Sequence, residues 1–301
     1  MKTIQRYFGN MYRFSIIFLC ACLTTGVSNV SAQQEIETGI KIFENRNYYG
    51  ADKFFTDYLQ KNPGNAKANY YLGRIALAGN KNEEATDYFE KATGLDPSNS
   101  LYYTWEGINY ISILQQVDFI HQAIYAPKAL SSLEKAVALD SMNALARSYL
   151  AGYYANAPSF AGGSEAKAID QINTAVKIDS TNTGFLLQRG IMMSTFRNFE
   201  DAKKSFESAM TLNPEFYPSY FQMGRMCAEA GVYPEQGEIC LIRFIQTAPK
   251  DFDQDRDDAW WLLGNIYLKK GDKAKAREAY EKAVSLNPDN DDFKKSLKNV
   301  M

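Results

Sequence analysis

Glycine, alanine, aromatic and proline residues recur along the chain at fixed spacings. From a reference glycine, steps of 12, 16, 19 and 24 residues reach a small residue, an aromatic ring, a second small residue and a proline. The pattern is complete from Gly73, Gly190 and Gly264, and the copy that begins at Gly39 departs from it only at Tyr58. Because small and aromatic residues three and four apart share one face of a helix, the pattern predicts amphipathic helices.

The copy that begins at Gly73 indicates what each position does. Gly73 and Ala85 are predicted to face each other where two antiparallel helices approach most closely, since a larger side chain there would push the helices apart. Phe89 and Ala92 share one face of the second helix, where the ring fills space between units and the alanine keeps clear of the next helix. Pro97 closes the unit in a turn that ends one helix and starts another.

This unit of about 34 residues resembles the tetratricopeptide repeat, a pair of antiparallel helices. The resemblance implies an all-α fold, a right-handed superhelical solenoid of about seven repeats, because one unit cannot bury its own apolar face and stacks on its neighbours. It also implies a binding scaffold and not an enzyme.

Following the same phase through the chain predicts seven repeats and a C-terminal capping helix. The reference small residues are Gly39, Gly73, Gly107, Ala151, Gly190, Gly224 and Gly264. The predicted repeats span 33–65, 66–99, 100–143, 144–182, 183–216, 217–256 and 257–290, and the capping helix spans 291–301.

Two repeats carry extra residues between their helices. The third repeat has an insertion within 111–128, which is rich in apolar residues, and the fourth has an insertion within 157–163. In a solenoid the turns inside successive units emerge along one edge, so the two insertions are expected to be neighbours.

A linker from Lys250 to Asp258 precedes the last repeat and carries alternating aspartates that resemble part of a calcium loop. Arg256 and Leu262 stand where such a loop needs glycine and a bidentate glutamate. A solvated linker is therefore predicted, and its last two aspartates favour the N-terminus of the next helix.

The first 32 residues have the pattern of a secretory signal peptide. An apolar run over 14–23 is too short for a membrane span, and the small residues over 30–32 predict cleavage after Ala32. The basic residues at its start are Lys2, Arg6 and Arg13.

A lipoprotein signal over 19–22 is the alternative, and it would leave Cys22 as an acylated first residue. Cys20 fits that signal poorly, so export to the periplasm or cell envelope is preferred over an outer-membrane lipoprotein. No membrane span is predicted in either case.

Charge and cysteine content narrow the function classes further. The formal charge falls from −2 for the whole chain to −5 without the first 32 residues. No stripe of basic residues then remains to neutralise the phosphates of a nucleic acid, so nucleic acid is not expected as a partner. Cys227 and Cys240 fall on the two helices of the sixth repeat, beyond disulfide reach, and are predicted to be buried free thiols.

Recognisable catalytic motifs are absent from the sequence. It contains no GxSxG, no phosphate-binding loop and no HExxH. The single histidine, His121, falls in the third-repeat insertion, where a partly exposed helix residue is expected. The sequence therefore predicts no enzyme, no cofactor and no metal site.

In the tetratricopeptide family the first helix of each pair lines a groove. The matching positions here are aromatic with a few polar groups, and they lack most of the lysines and asparagines of the family's carboxylate-binding version. Such a groove suits an apolar helix or an extended peptide, although packing between neighbouring first helices would use the same rings. The predicted partner-binding residues are Tyr70, Tyr71, Arg74, Trp105, Ile108, Tyr149, Gln188, Phe221, Gln222, Arg225, Trp261 and Asn265.

The insertions form a second candidate site, the insertion edge, with His121, Tyr125 and Phe160 as its residues. In one interpretation Tyr125 and Phe160 anchor a partner segment. In the other, the long insertion extends both helices of its repeat and Phe160 covers its side as a small satellite core.

The resemblance thus implies a protein–protein interaction scaffold or adaptor of the bacterial cell envelope, with a protein or peptide partner. A lipid-anchored accessory subunit of an outer-membrane secretion or assembly machine is one alternative. A small-molecule or glycan-binding protein that uses the aromatic groove is the other.

Overall fold

The computed structural model describes residues 34–301, and the predicted signal peptide lies outside them. This part of the chain contains no strand and consists of helices joined by short turns. The helices are α1 (34–44), α2 (Tyr48–Lys61), α3 (Ala66–Ala78), α4 (Asn82–Leu95), α5 (Ser100–Leu114), α6 (Phe119–Leu139), α7 (Ala144–Asn156), α8 (Glu165–Ile178), α9 (Thr183–Thr195), α10 (Phe199–Leu212), α11 (Tyr217–Ala230), α12 (Pro234–Thr247), α13 (Arg256–Lys269), α14 (Lys273–Leu286) and α15 (Asp291–Lys298).

The helices form two compact units, which meet in sequence after Leu139. The first unit holds the pairs α1/α2, α3/α4 and α5/α6. Within it α2 packs on α3, α4 packs on α5, and the first helices α3 and α5 also touch. Buried residues of α1, α2 and α3, including Ile40, Phe55 and Leu72, make one core between the first two pairs.

The second unit holds the pairs α7/α8, α9/α10, α11/α12 and α13/α14, followed by α15. Each second helix packs on the following first helix, and the first helices α7, α9, α11 and α13 contact one another in order. The last helix, α15, packs on α14 and buries Phe293, which is 2% exposed. The stacking of helix pairs predicted from the spacing is therefore present within each unit.

In four pairs an aromatic ring of the second helix lies directly against the reference glycine, which corrects one prediction. A Cβ atom placed on Gly73 would have Phe89 ring carbons as its three nearest neighbours, the first at 2.7 Å, so the ring and not Ala85 occupies the space in front of the glycine. At Gly190 the same Cβ would lie 2.4 Å from the ring of Phe206. Helical side chains lean toward the N-terminus, which carries each ring back to the level of the preceding small residue.

Leucine replaces the ring in two pairs that depart from the regular spacing. A Cβ on Gly107 would lie 2.7 Å from Leu133, and one on Gly224 would lie 2.4 Å from Leu241. Both leucines are fully buried. The glycine therefore serves the same purpose whether an aromatic or a branched aliphatic side chain fills the space.

Asparagine caps most of the first helices. The side-chain oxygens of Asn65, Asn99, Asn143 and Asn182 accept backbone N–H groups from the first turn of α3, α5, α7 and α9. Phe216 stands at this position before α11, which has no side-chain cap and instead begins with a proline in its first turn. The repeated turn sequences thus stop one helix and supply the missing hydrogen bond of the next.

The third-repeat insertion extends both helices of its pair. Helix α5 continues to Leu114 and α6 begins at Phe119, so α6 reaches 21 residues. Pro127 lies inside α6 and cannot donate a backbone hydrogen bond to Ala123. The satellite-core interpretation is correct about this extension, but its expectation for Phe160 is wrong, because that ring is 81% exposed and covers nothing.

The linker before the last pair is more ordered than predicted. Residues Lys250–Asp255 form a 3₁₀ helix, and the ring of Phe252 packs edge-on against Tyr217 and Phe244, with centroid distances of 5.9 Å to each. The expectation of a fully solvated linker is therefore wrong. Asp257 and Asp258 do lie in the first turn of α13, where negative charge favours the helix N-terminus.

The two cysteines of the described chain are free and buried, as predicted. Cys227 lies on α11 and Cys240 on α12. Burial raises the pKa of each thiol to about 12, so both are neutral and unreactive at physiological pH.

Glycine-to-alanine substitutions test the contact between the reference glycine and the ring. Gly190→Ala is expected to destabilise the protein by about 1–3 kcal/mol, because the Phe206 ring is fully buried and cannot yield to a Cβ at 2.4 Å. Gly94→Ala is the matched control, since Gly94 is an exposed helical glycine whose Cβ would meet nothing within 4 Å. The control is expected to leave stability unchanged or to raise it by up to about 1 kcal/mol. Urea titration measures both, and equal effects would contradict the packing described above.

Candidate functional site

Three first helices of the first unit converge on one arginine. The Arg74 guanidinium of α3 stacks on the Trp105 ring of α5, with 3.6 Å between its central carbon and the ring centroid. The Phe43 ring of α1 lies 5.1 Å from the same carbon and the Tyr70 ring lies 5.7 Å from it. Arg74 Nη1 donates a hydrogen bond of 2.8 Å to the Tyr70 hydroxyl. We call Phe43, Tyr70, Tyr71, Arg74 and Trp105 the arginine–aromatic cluster.

Tyr71 completes this cluster from the same helix as Arg74. Its ring stacks parallel to Phe55 at 5.1 Å and meets the edges of Phe43 and Tyr70 at 5.1 and 5.0 Å. Burial raises the pKa of Tyr71 to about 12, so its hydroxyl is neutral at physiological pH. Tyr71, Arg74 and Trp105 are each half-buried, and so part of each side chain faces solvent.

The cationic side chain of this cluster has no acidic partner. No carboxylate forms an ion pair with Arg74 among the residues the structure describes, and its one side-chain hydrogen bond goes to a neutral hydroxyl. Arg225 has the corresponding position in the second unit, one residue after its reference glycine, and there Asp258 approaches the guanidinium to 3.8 Å. The guanidinium of Arg74 is therefore positioned by aromatic faces and keeps donor groups that another molecule can use.

Three predicted groove residues do not line a surface. Tyr70, Ile108 and Phe221 are 3%, 7% and 5% exposed. Neighbouring first helices pack directly on one another and on the preceding second helix, which buries these positions. Assigning them to an open groove is therefore wrong, although Tyr70 still contributes its hydroxyl to Arg74.

Predicted groove residues of the second unit mostly bind their own neighbours. Gln188 Nε2 donates to the Ser148 carbonyl at 2.9 Å, and Asn265 Oδ1 accepts from the Tyr280 hydroxyl at 2.8 Å. Trp261 Nε1 donates to Ser296 Oγ of α15 at 2.9 Å. The remaining members, Tyr149, Gln222 and Arg225, are half-buried. Most polar groups of this set are thus already used within the fold.

The predicted insertion-edge residues are divided between the two units. His121 and Tyr125 lie on α6 in the first unit, and Phe160 lies in the 3₁₀ turn before α8 in the second. His121 Nδ1 is 2.8 Å from Asp118 Oδ1, and both side chains are more than half exposed. The Tyr125 ring lies 6.1 Å from Tyr110. The same Asp118 oxygen accepts the backbone N–H groups of Ile120 and His121, so Asp118 caps the start of α6 and the His121 ring contacts that cap.

Sequence reasoning missed a buried glutamate in the first unit. Glu106 of α5 is 7% exposed. Its Oε1 accepts from Thr93 of α4 at 3.0 Å, and its Oε2 accepts from Ser132 of α6 at 2.7 Å. The sequence contains one weak signal. Glu106 immediately precedes the reference Gly107, on a first helix that the repeat pattern predicts to be largely buried. This carboxyl group links three helices.

The protonation of Glu106 is expected to affect stability. Burial raises its pKa above the ordinary 4.5, while the hydroxyls of Ser132 and Thr93 lower it; the nearby Glu90 raises it and Lys128 lowers it. A raised carboxyl pKa in the folded state means that the native protein binds the proton more tightly than the unfolded chain. Glu106 therefore adds most to the free energy of unfolding below pH 4.5. This stabilising contribution is lost as the pH rises through the pKa of Glu106 in the folded protein.

Glu106→Gln provides the measurement. As pH rises from about 4 to about 8, the variant is expected to become more stable relative to the wild type, because only the wild type has a carboxyl group that must lose its proton. Urea titrations at a series of pH values check this, with the exposed Glu215→Gln as control. A pH-independent difference would contradict the raised pKa.

Neither a candidate membrane span nor a candidate metal site occurs within residues 34–301. None of the helices in residues 34–301 combines the length and apolar composition needed to cross a membrane. No three His, Cys, Asp or Glu side chains in this part of the chain are grouped so that they could hold a metal ion.

Comparison with known proteins places the fold. The family model for the tetratricopeptide repeat matches residues 43–100 and again residues 257–290. A TPR repeat-containing protein of Methanocaldococcus jannaschii is 23% identical over 286 residues, which cover 93% of this chain and 41% of that protein. The chain spans less than half the length of the curated relatives it matches.

Solved structures share the architecture at low sequence identity. The C-terminal part of a TPR repeat-containing protein from Cytophaga hutchinsonii superposes with a TM-score of 0.60 at 17% identity, covering 87% of this chain and 98% of that one. YrrB, described as a TPR protein with an unusual peptide-binding site, superposes with a TM-score of 0.52 at 20% identity, covering 70% of this chain and 97% of that one.

Three observations indicate the same repeat. They are the glycine-to-ring contact inside the helix pairs, the stacking of those pairs within each unit, and the family-model matches near both ends of the described chain. This all-α chain carries tetratricopeptide repeats, which the family model identifies at residues 43–100 and 257–290, and it shares the fold of solved tetratricopeptide-repeat structures.

Proposed function

We propose that this protein is a non-enzymatic interaction scaffold that binds an acidic peptide segment of a partner protein at the arginine–aromatic cluster. Tetratricopeptide repeats bind protein or peptide partners, and the peptide-binding site named for YrrB is consistent with such a role on a related fold. The observation that carries the proposal is Arg74, a half-buried guanidinium that stacks on Trp105 and has no carboxylate partner among the described residues.

The geometry of Arg74 suits a carboxylate ligand. A guanidinium has five N–H donors in a rigid plane, and stacking on a ring leaves the edge of that plane available. One edge donor reaches the Tyr70 hydroxyl, and the others can form a bidentate pair with an aspartate or glutamate side chain. Partial burial strengthens such a pair because water screens it less.

The rings around Arg74 supply the apolar part of the contact. Tyr71 and Trp105 are half-buried. Tyr71 packs against three aromatic rings and Trp105 packs against the core that contains Tyr70 and Phe89, so little conformational freedom is lost on binding. Large aromatic side chains and arginine are the residue types that contribute most at protein interfaces. An acidic residue flanked by an apolar one would therefore use both features of the cluster.

Arg74→Met tests the proposal with peptides selected on the wild-type protein from a random library. Methionine keeps most of the apolar stem and removes the charge, so we expect the affinity of an acidic selected peptide to fall about tenfold or more. Arg243→Met is the matched control, because Arg243 is exposed on α12 in the second unit, and it should bind as the wild type does. Fluorescence anisotropy gives the affinities.

A thermodynamic cycle identifies the contact. Neutralising the acidic residue of the peptide should reduce the binding free energy as much as Arg74→Met does. The two changes together should reduce it little more than either one alone. Selected peptides that lack acidic residues, or an unchanged affinity in Arg74→Met, would refute the role of Arg74. If carbohydrates bind the same rings and peptides do not, the scaffold proposal is wrong at this site.

We also propose that the chain is exported to the cell envelope. The basic start, the short apolar run over 14–23 and the small residues over 30–32 support this. Mature protein purified from a native host is expected to begin at Gln33 and to be recovered in a soluble envelope fraction. Intact-mass measurement decides the matter, since an acylated Cys22 would establish the lipid-anchored alternative and an uncleaved chain would refute export.

A further inference from the structure

A polar cleft of about 340 Å³ lies on the first unit between the second helices α4 and α6. It is lined by side chains from three helices: Glu90 from α4, Glu106 and Tyr110 from α5, and Lys128 and Ser132 from α6. Ligand pockets of about 300 Å³ and above hold small molecules or a single side chain. The cleft is separate from the arginine–aromatic cluster, which is built by the first helices.

One ammonium group already occupies the mouth of this cleft. Lys128 Nζ lies 3.2 Å from Glu90 Oε1 and 5.3 Å from the centroid of the Tyr110 ring. The Tyr110 hydroxyl donates to the same Glu90 oxygen at 2.7 Å. That hydrogen bond is the largest influence holding the pKa of Glu90 below its ordinary value, so Glu90 is ionised near neutral pH. The side chains of Lys128 and Glu90 are about half exposed, at 47% and 49%, and can separate without unfolding.

The second carboxyl group of the cleft has no cation. Glu106 is nearly buried, and its two oxygens receive hydrogen bonds from the hydroxyls of Thr93 and Ser132. No lysine or arginine forms an ion pair with it among the described residues. Two carboxyl groups thus face the cleft and only one ammonium neutralises them. A carboxylate that is buried without a counter-ion is costly for a fold, and a cation supplied from outside would remove that cost.

We propose that this cleft binds one organic cation, a primary ammonium or guanidinium group, with Glu106 as its counter-ion and Lys128 as an internal competitor. The incoming group displaces the Lys128 ammonium from Glu90, or seats beside it, and then lies over the Tyr110 ring as Lys128 does now. The hydroxyls of Thr93 and Ser132 continue to donate to Glu106. The proposal does not depend on peptide binding at Arg74.

Opposite effects of two substitutions distinguish this site from a structural ion pair. Lys128→Met removes the competitor and keeps the apolar stem, so binding of the cation is expected to tighten at least about threefold. Glu106→Gln removes the counter-ion, so binding is expected to be lost. Binding by the wild type should also strengthen as pH rises, because Glu106 must be ionised. A structural role alone would give no tightening in Lys128→Met.

The probes are n-butylammonium and ethylguanidinium, titrated into the wild type and both variants and followed by two-dimensional NMR. Glu215→Gln, an exposed carboxylate in the second unit, is the control and should behave as the wild type. If Glu106→Gln does not fold, Lys128→Met alone decides the question. Equal binding in wild type, Lys128→Met and Glu215→Gln, or no binding in any of them, overturns the proposal.

A second titration identifies the source of the cation. A short uncharged peptide with one arginine at its centre is compared with ethylguanidinium on the Lys128→Met variant. Similar affinities indicate a free small cation, and much tighter binding of the peptide indicates an arginine or lysine side chain of a partner protein. Either result supports the site, and failure of both probes refutes it.

Discussion

The contact between the reference glycine and the side chain of the second helix is the constraint on which the rest of this structure depends. Six of the seven described pairs have a glycine at the reference position, and in each a large side chain, such as Phe89, Phe206 or Leu241, lies where a Cβ on that glycine would come within 3 Å. The pair can close to this distance only because the glycine has no side chain. The close approach then fixes which faces of the two helices remain for the neighbouring pairs, and so it determines how the pairs stack within each unit.

The helix pairs were predictable because spacing alone encodes them, but their detailed contacts were not. Sequence position gives the face on which Ala85 and Phe89 lie, yet it does not say that the ring leans back by one turn to meet Gly73. Burial of Tyr70, Ile108 and Phe221 depends on how closely the first helices approach each other, which is a tertiary property. The stacking of Arg74 on Trp105 joins residues of different repeats, and no local pattern indicates it.

The cleft of the first unit does not depend on the third-repeat insertion. Its α6 side is formed by residues next to Ala129, the small residue of the regular second helix, and Lys128 there lies opposite Glu90, 38 positions earlier in the chain. The insertion lengthens α5 and α6 beyond this point. The apolar residues of the insertion had suggested a partner pocket around Tyr125 and Phe160. The structure instead places the chemically distinctive groups around Glu106, one helix turn before the insertion starts, where a repeat pattern gives no reason to look.

Trp105 and Glu106 are consecutive on α5, and about 100° of helix rotation separates their side chains. One therefore faces Arg74 and the first helices, and the other faces α4 and α6. Each face retains a charge without an opposite charge in the described chain, a guanidinium on one side and a carboxyl group on the other. Because the two lie on different faces of α5, they do not neutralise each other. A fold selected for stability alone gains little from partly buried charges of this kind, since apolar residues of similar size are as stable or more so. Arg74 and Glu106 are therefore the two groups of the first unit that packing explains least, and both binding proposals rest on them.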